Sequence, residues 1–196
     1  MKDLGIDRLN NFPFPTPPDE TSIKVSENLL VQLGALYVDT KERQKYNKDG
    51  YITKITHLGK TMACFPINPR YSKMLTLANQ HNLLQYVITL ISALSVQELF
   101  IDGDTILKRN NVENNVQSSS NIKIKFAQLR QAWAGIGELL LLGDLMVLLV
   151  ALGAVEYEGN DSVKFCEQNG IRLKAVLEAK KLRKQLTDTG NLFIEN

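Results

Sequence analysis

Histidine and cysteine are scarce in this chain: 196 residues hold only His57, His81, Cys64 and Cys166, with a single tryptophan, Trp133. Neither histidine has a ligand-type partner three or four residues away, and the cysteines lie about a hundred residues apart. No zinc-type site is therefore spelled out. The N-terminus MKDLGIDRLNNFPFP has no long apolar run, so a secretory segment is not expected, and the two cysteines are expected as reduced core thiols. No Gly-x-Ser-x-Gly elbow occurs. Acidic residues fall beside basic ones or at helix starts, so no carboxylate pair is set up as acid and base. A catalytic centre wholly within the chain is not expected. Charge of one sign is lacking too. The net value of +2 gives no global field toward nucleic acid or membrane, and any basic surface must be local.

Long apolar runs are also short here. The run LLLLGDLMVLLVALGAV, residues 139–155, falls below the ~20 residues a bilayer span needs, and it holds Asp144. A helix apolar all round is expected buried at the centre of a domain, so no membrane partner is implied. The apolar share of 44% and the charged share of 22% suit a globular protein of one large or two small domains.

Gly59-Lys60-Thr61 matches the closing letters of a phosphate-binding P-loop. That loop needs a glycine five positions before its Gly-Lys, and Lys54 stands there. The neighbours give another account. Thr56 is placed to cap a short helix on which Leu58, Met62 and Phe65 recur, and Pro66 ends it. Asn68 then caps a second helix with Pro69 at its first position, and Tyr71, Met74, Leu75 and Ala78 share one face. Gly59-Lys60-Thr61 falls inside the first of these helices, where no phosphate cradle forms.

Upstream, FPFPTPP at 12–18 carries four prolines and reads as an extended connector. Asp19 is expected to cap a helix bearing Ile23, Leu29, Leu30 and Leu33, with Gly34 as its exit. Tyr37-Val38 and Tyr51-Ile52-Thr53 are strand-prone around the turn pair Asp49-Gly50. A helix, a small two-stranded element and another helix outline a winged-helix unit. Its wing mixes Lys41, Arg43, Lys45 and Lys48 with Asp39, Glu42 and Asp49, as solvated loops do.

Downstream, residues 83–96 form an apolar helix suited to a bundle interior. Residues 101–125, rich in asparagine and serine, read as a solvated loop or disordered insertion. A helix resumes near Phe126 and passes Ala127, Leu129, Ala132 and Trp133. The apolar helix near 143–153 follows. The last helix, from Gly170 to about Leu186, lines Ile171, Ala175, Ala179, Leu182 and Leu186 on one stripe. Its other faces carry Arg172, Lys174, Lys180, Lys181, Arg183 and Lys184 against a lone Glu178, the most basic local surface in the chain. The fold class expected is mainly α, a winged-helix unit with a small β-hairpin followed by a helical bundle. Its segments are 1–18 as tail and connector, 19–67 as winged helix, and 68–196 as bundle.

The ordered phrases LGIDRLNNFPFPTPPDE, LLVQLGAL, LGKTMACFPINPRYSKMLTLA and ALSV resemble the region that follows the motor of DEAH-box RNA helicases. In that family a connector leaves the second RecA-like lobe and leads into a winged helix and a ratchet-like helical bundle. ALSVQELF (93–100), residues 131–157 and residues 165–186 resemble the branch acting in small-ribosomal-subunit assembly in the nucleolus. The resemblance implies an accessory region that walls a single-stranded RNA channel and is coupled to motor lobes of the same protein. It implies no cofactor in this chain, and ATP and Mg in the motor domains upstream. Implied partners are pre-rRNA or a small nucleolar RNA, and ribosome assembly factors or a helicase activator. It implies RNA contact at Asn169 and Lys174, which align with polar and basic positions of the family phrase. Arg172 joins them by proximity. Splicing relatives carry a bulky Phe-Leu where Gly170-Ile171 stand, so their contacts do not transfer base by base. Two other readings stay open. In one, the chain is a protein-docking module whose winged helix and insertion at 101–125 take an activator or ribosome assembly factors, with RNA held elsewhere. At the site itself, Asn169 then merely caps the helix while the basic residues meet acidic neighbours. In the other the chain is a free-standing winged-helix DNA regulator, although the reader helix LGKTMACF (58–65) offers only Lys60 as a basic group and is largely apolar.

Overall fold

A computed structural model describes residues 1–6, 12–38, 53–96, 98–101 and 116–194, leaving aside the side chains of 116–123 and 192–194. The chain is mainly α, with one antiparallel two-stranded sheet among the described residues. It divides into two compact units, Met1–Leu84 and Gln85–Asn196.

In the first unit, Asp19 caps helix α1 (Glu20–Gln32), its carboxylate accepting from the Ser22 N–H at 3.4 Å and from the Thr21 hydroxyl. That hydroxyl holds the Asp19 carboxyl below its ordinary value of 3.8. Gly34 ends the helix at φ +78, a left-handed turn that suits a residue without Cβ. Strand β1 (Leu36–Val38) then pairs with β2 (Thr53–Ile55), Leu36 opposite Ile55 and Val38 opposite Thr53. The expected Asp49-Gly50 turn, Tyr51-Ile52 and the charged wing lie outside the described residues.

Thr56 caps helix α2 (His57–Ala63), as its spacing predicts. Its hydroxyl oxygen accepts from the Gly59 N–H at 2.9 Å, and its hydrogen reaches Gly34 O at 2.7 Å, with Ala35 O at 3.1 Å. The start of α2 is therefore closed by the protein's own oxygens. Gly59 packs so tightly there that a Cβ would lie 2.1 Å from Ala35 O. This settles the P-loop resemblance: Gly59-Lys60-Thr61 is helical, and its glycine serves packing. Asn68 caps helix α3 (Pro69–Gln80) through the Arg70 N–H at 3.0 Å, with Pro69 in the first position.

Ala35, Leu36, Met62, Phe65, Leu75 and Ala78 make the buried core of this unit. Lys2 ties the N-terminal segment to it, pairing with Glu27 at 2.8 Å and donating to Thr53 O at 3.1 Å. The buried Thr53 hydroxyl in turn donates to Glu27 at 3.2 Å. No residue of α1 is fully buried; Ile23 and Leu30 face a cavity of about 500 Å³ that Met62 and Phe65 also line.

The second unit opens with helix α4 (Leu84–Ser95), which buries Ile88, Ile91, Ser92 and Ala93 and leaves Tyr86 exposed. Helix α5 (Val116–Trp133) corrects the expectation of a loop over 101–125, because the chain is helical from Val116, ten residues before Phe126. Serine and asparagine lower helix propensity by only about half a kcal/mol each, and no glycine or proline interrupts VQSSSNIKIK. Polarity of composition therefore does not exclude a helix there. Residues 102–115 lie outside the described residues.

The run 139–155 is not one buried helix either. A 3-10 turn covers Gly137–Leu142, Gly143 turns the chain at φ +50, and only then does helix α6 (Asp144–Tyr157) begin. Val147, Ala151, Leu152 and Val155 are buried on one face, while Leu139–Leu142 are exposed. Among the described residues no helix is long and apolar enough to cross a membrane.

Helix α7 (Ser162–Gln168) and helix α8 (Leu173–Ile194) complete the unit. Gly170 adopts φ +64 and Ile171 bridges to Phe100, so α8 starts three residues later than the periodicity suggests. It also runs well past Leu186, for Thr187 and Thr189 fold their hydroxyls back onto Arg183 O and Gln185 O and no proline intervenes. The core joins Ala93, Leu99, Ala151, Leu152, Val155, Cys166, Ile171, Ala175, Val176 and Ala179. Both cysteines are free. Cys166 is the core thiol expected, and burial pushes its pKa up. Cys64 is exposed instead, its Sγ donating to Lys60 O at 3.3 Å.

Candidate nucleic-acid interface

The three residues singled out for RNA contact fall on the turn between α7 and α8 and on the first turn of α8, in three different states. Asn169 ends α7: its backbone N–H donates to Phe165 O at 3.1 Å and its side-chain amide to the same oxygen at 2.8 Å. It therefore caps the end of the preceding helix rather than the start of the last one. Arg172 donates its backbone N–H to Leu99 O at 2.9 Å, and its Nη2 meets Glu98 Oε2 at 3.0 Å. Lys174 is open, with a side chain 90% exposed and Glu178 no nearer than 3.9 Å.

The turn is built against the segment 98–101. Ile101 N–H donates to Gly170 O at 2.8 Å, and Phe100 and Ile171 face each other as an antiparallel bridge. Leu99 and Ile171 anchor this pairing in the core. Gly170 is required here for its positive φ, and a Cβ on it would lie 3.0 Å from the Phe126 ring. On the other side of the segment, the Arg130 guanidinium sits over the Phe100 ring at 4.7 Å, and the Phe100 and Trp133 rings are 6.1 Å apart. Sequence reasoning missed Glu98, Phe100 and Arg130. Each comes from another element, and no spacing rule connects residue 98 to residue 172.

Farther along α8 the basic face is partly spent. Arg183 pairs with Glu156 at 2.7 Å, so this cation joins α8 to α6. Lys181 and Lys184 remain exposed, and Lys180 is half-buried beside the stripe of Ala175, Ala179 and Leu186. The open cations thus lie at Lys174 and along the outward face of α8, with Arg172 reachable if it exchanges its carboxylate. Such a surface can take phosphate from a flexible strand; it offers no nucleophile or proton relay. Among the described residues no cluster of three or more His, Cys, Asp or Glu is placed to hold a metal ion.

A winged helix leading into packed helices, with a cationic turn, defines a class that the comparisons identify. Residues 26–67 match the helicase-associated domain (HA2), winged-helix, and residues 68–148 match the helicase-associated domain (HA2), ratchet-like. The chain belongs to this helicase-associated family of the DEAH-box RNA helicases, as the accessory region and not the motor. It is 44% identical over 193 residues to human (Homo sapiens) "Probable ATP-dependent RNA helicase DHX37", covering 97% of this chain and 16% of the relative. It is 43% identical over 198 residues to the Drosophila melanogaster "Probable ATP-dependent RNA helicase kurz", covering 100% and 16%. Arabidopsis thaliana "ATP-dependent RNA helicase DEAH13" is 29% identical over 207 residues, covering 95% and 15%. The chain spans about one sixth of the length of these relatives.

The matched domains meet at residues 67 and 68, one helix before the division between the compact units. Helix α3 lies between the two boundaries and packs on α2.

Proposed function

We propose that this chain forms one wall of the single-stranded RNA channel of a DEAH-box helicase acting in pre-rRNA processing and small-ribosomal-subunit assembly. The parent protein works in the nucleus and nucleolus, and its motor lobes bind ATP and Mg. This chain passes their motion to the RNA and turns over no nucleotide itself. Its RNA partner is pre-rRNA or a small nucleolar RNA, and its protein partners are those motor lobes with an activator or assembly factors.

The observation that carries the reading is the turn 169–172 running into α8, with Lys174 exposed to solvent beside Glu178 at 3.9 Å and Arg172 held near it by the backbone. Cations on such a frame suit phosphate, which carries no base identity, so little sequence preference follows. Similarity over nearly the whole chain to proteins named RNA helicases supports the same reading.

The test is fluorescence anisotropy of labelled oligouridine with the 196-residue chain, repeated across salt concentrations. Binding is expected to be weak, with log K falling against log salt by about 0.7 for each phosphate contact. Lys174→Ala is expected to lower both affinity and that slope. Affinity that stays flat between about 50 and 200 mM salt overturns the reading.

A second reading, a module docking an activator or assembly factors, is favoured by the exposed leucines of 139–142, of which Leu141 is 87% exposed. Pull-down of an assembly factor lost with Leu141→Asp and kept with Lys174→Ala would favour it over the first. Of the insertion 101–125, the part from Val116 is helical, and residues 102–115 lie outside the described residues.

A further inference from the structure

We infer that Glu98 is a built-in competitor for the RNA-facing guanidinium of Arg172, setting how readily that cation is released to phosphate. The inference rests on the RNA reading above and adds a residue that the resemblance does not assign.

The pairing of Glu98 with Arg172 is not a chance meeting of two long side chains. Residues 98–101 and 170–172 are locked in register by Arg172 N–H to Leu99 O at 2.9 Å and Ile101 N–H to Gly170 O at 2.8 Å. Leu99 and Ile171, the residues next to the pair, are both in the core. Glu98 itself has φ +23, in a region that residues with a Cβ seldom adopt, so the chain turns sharply there. The frame therefore presents a carboxylate to the guanidinium, Nη2 to Oε2 at 3.0 Å.

A guanidinium offers its planar fork of donors to carboxylate and phosphate alike. A strand arriving at Arg172 must displace Glu98 or share the fork with a like-charged neighbour. Both partners are partly exposed, 37% and 74%, so the exchange is reversible and the pair acts as a trim on affinity rather than a lock. Helix α8 supplies an internal comparison. Glu178 stands 3.9 Å from Lys174, one turn along the same helix, so its removal reports the effect of deleting one negative charge beside a cation other than Arg172.

The experiment measures oligouridine affinity of the 196-residue chain at one fixed salt concentration, with melting temperatures confirming that each variant folds. Glu98→Gln is expected to bind about two- to fivefold more tightly, the range spanned by an exposed ion pair. Glu98→Ala serves as an independent second variant. In an Arg172→Ala background, Glu98→Gln should change affinity no more than Glu178→Gln does. If Arg172→Ala weakens binding but Glu98→Gln leaves it unchanged or weaker, the competitor is overturned while the RNA reading stands. If Glu98→Gln tightens binding equally with and without Arg172, the effect is one of field, and the competitor is again overturned. If Arg172→Ala has no effect on binding, Arg172 does not touch RNA and both ideas fall at this residue.

Discussion

The winged-helix unit and the helical bundle hold themselves together by different means. In the first, element ends are fixed by local hydrogen bonds from Asp19, Thr56 and Asn68, and the sheet base by the Lys2, Glu27 and Thr53 clasp. Its apolar core is thin, and a cavity of about 500 Å³ lies beside α1. The bundle has one continuous apolar cluster reaching from α4 through α6 and α7 to α8, with its ion pairs outside that cluster. Polar detail positions the first; packing positions the second. The difference predicts where each will break.

The largest effect is expected in the bundle. Leu186 is fully buried, so Leu186→Ala should cost about 2–5 kcal/mol, read from the midpoint of denaturant unfolding. A loss well under 1 kcal/mol would show that α8 does not depend on its apolar stripe. The next effect lies in the winged unit. Gly59→Ala forces a methyl against the Ala35 carbonyl and should cost about 3 kcal/mol, more than most overpacking, because backbone rather than a side chain must yield. Thermal melting that matches the unaltered chain would refute the close approach of α2 to Ala35. The smallest is Thr56→Ala, which removes a cap and should cost about 1 kcal/mol. If that change proved as costly as Leu186→Ala, the contrast between the two units would dissolve.

The same contrast explains what could be read without coordinates. Caps and helix stops were legible because their physics spans four residues: Asp19, Thr56, Asn68 with Pro69, and Gly34 all act where their spacing puts them. The β1–β2 pairing was legible from the strand-prone residues Tyr37-Val38 and Thr53, a matter of side-chain type rather than of capping. In the bundle, composition misled twice. Serines and asparagines of 116–125 sit in a helix, and the leucines of 139–142 sit in an exposed turn, because Gly143 breaks the run. Hydropathy reports how a segment would like to be buried, not whether a neighbour reaches it.

The candidate site divides likewise. Lys174 was legible as an exposed cation on the basic face of α8, and Asn169 as a cap, although it closes α7 rather than opening α8. Glu98 was not legible. It lies 74 residues from Arg172, and only the bridge between Phe100 and Ile171 brings them together.

Helix α8 begins where that bridge ends, and its 22 residues make a rod of about 33 Å. A stiff rod converts angle into distance. A tilt of about 5° at the Gly170 turn carries its far tip about 3 Å, nearly a residue's advance along an extended chain. Any change of angle at that turn is therefore largest at Ile194.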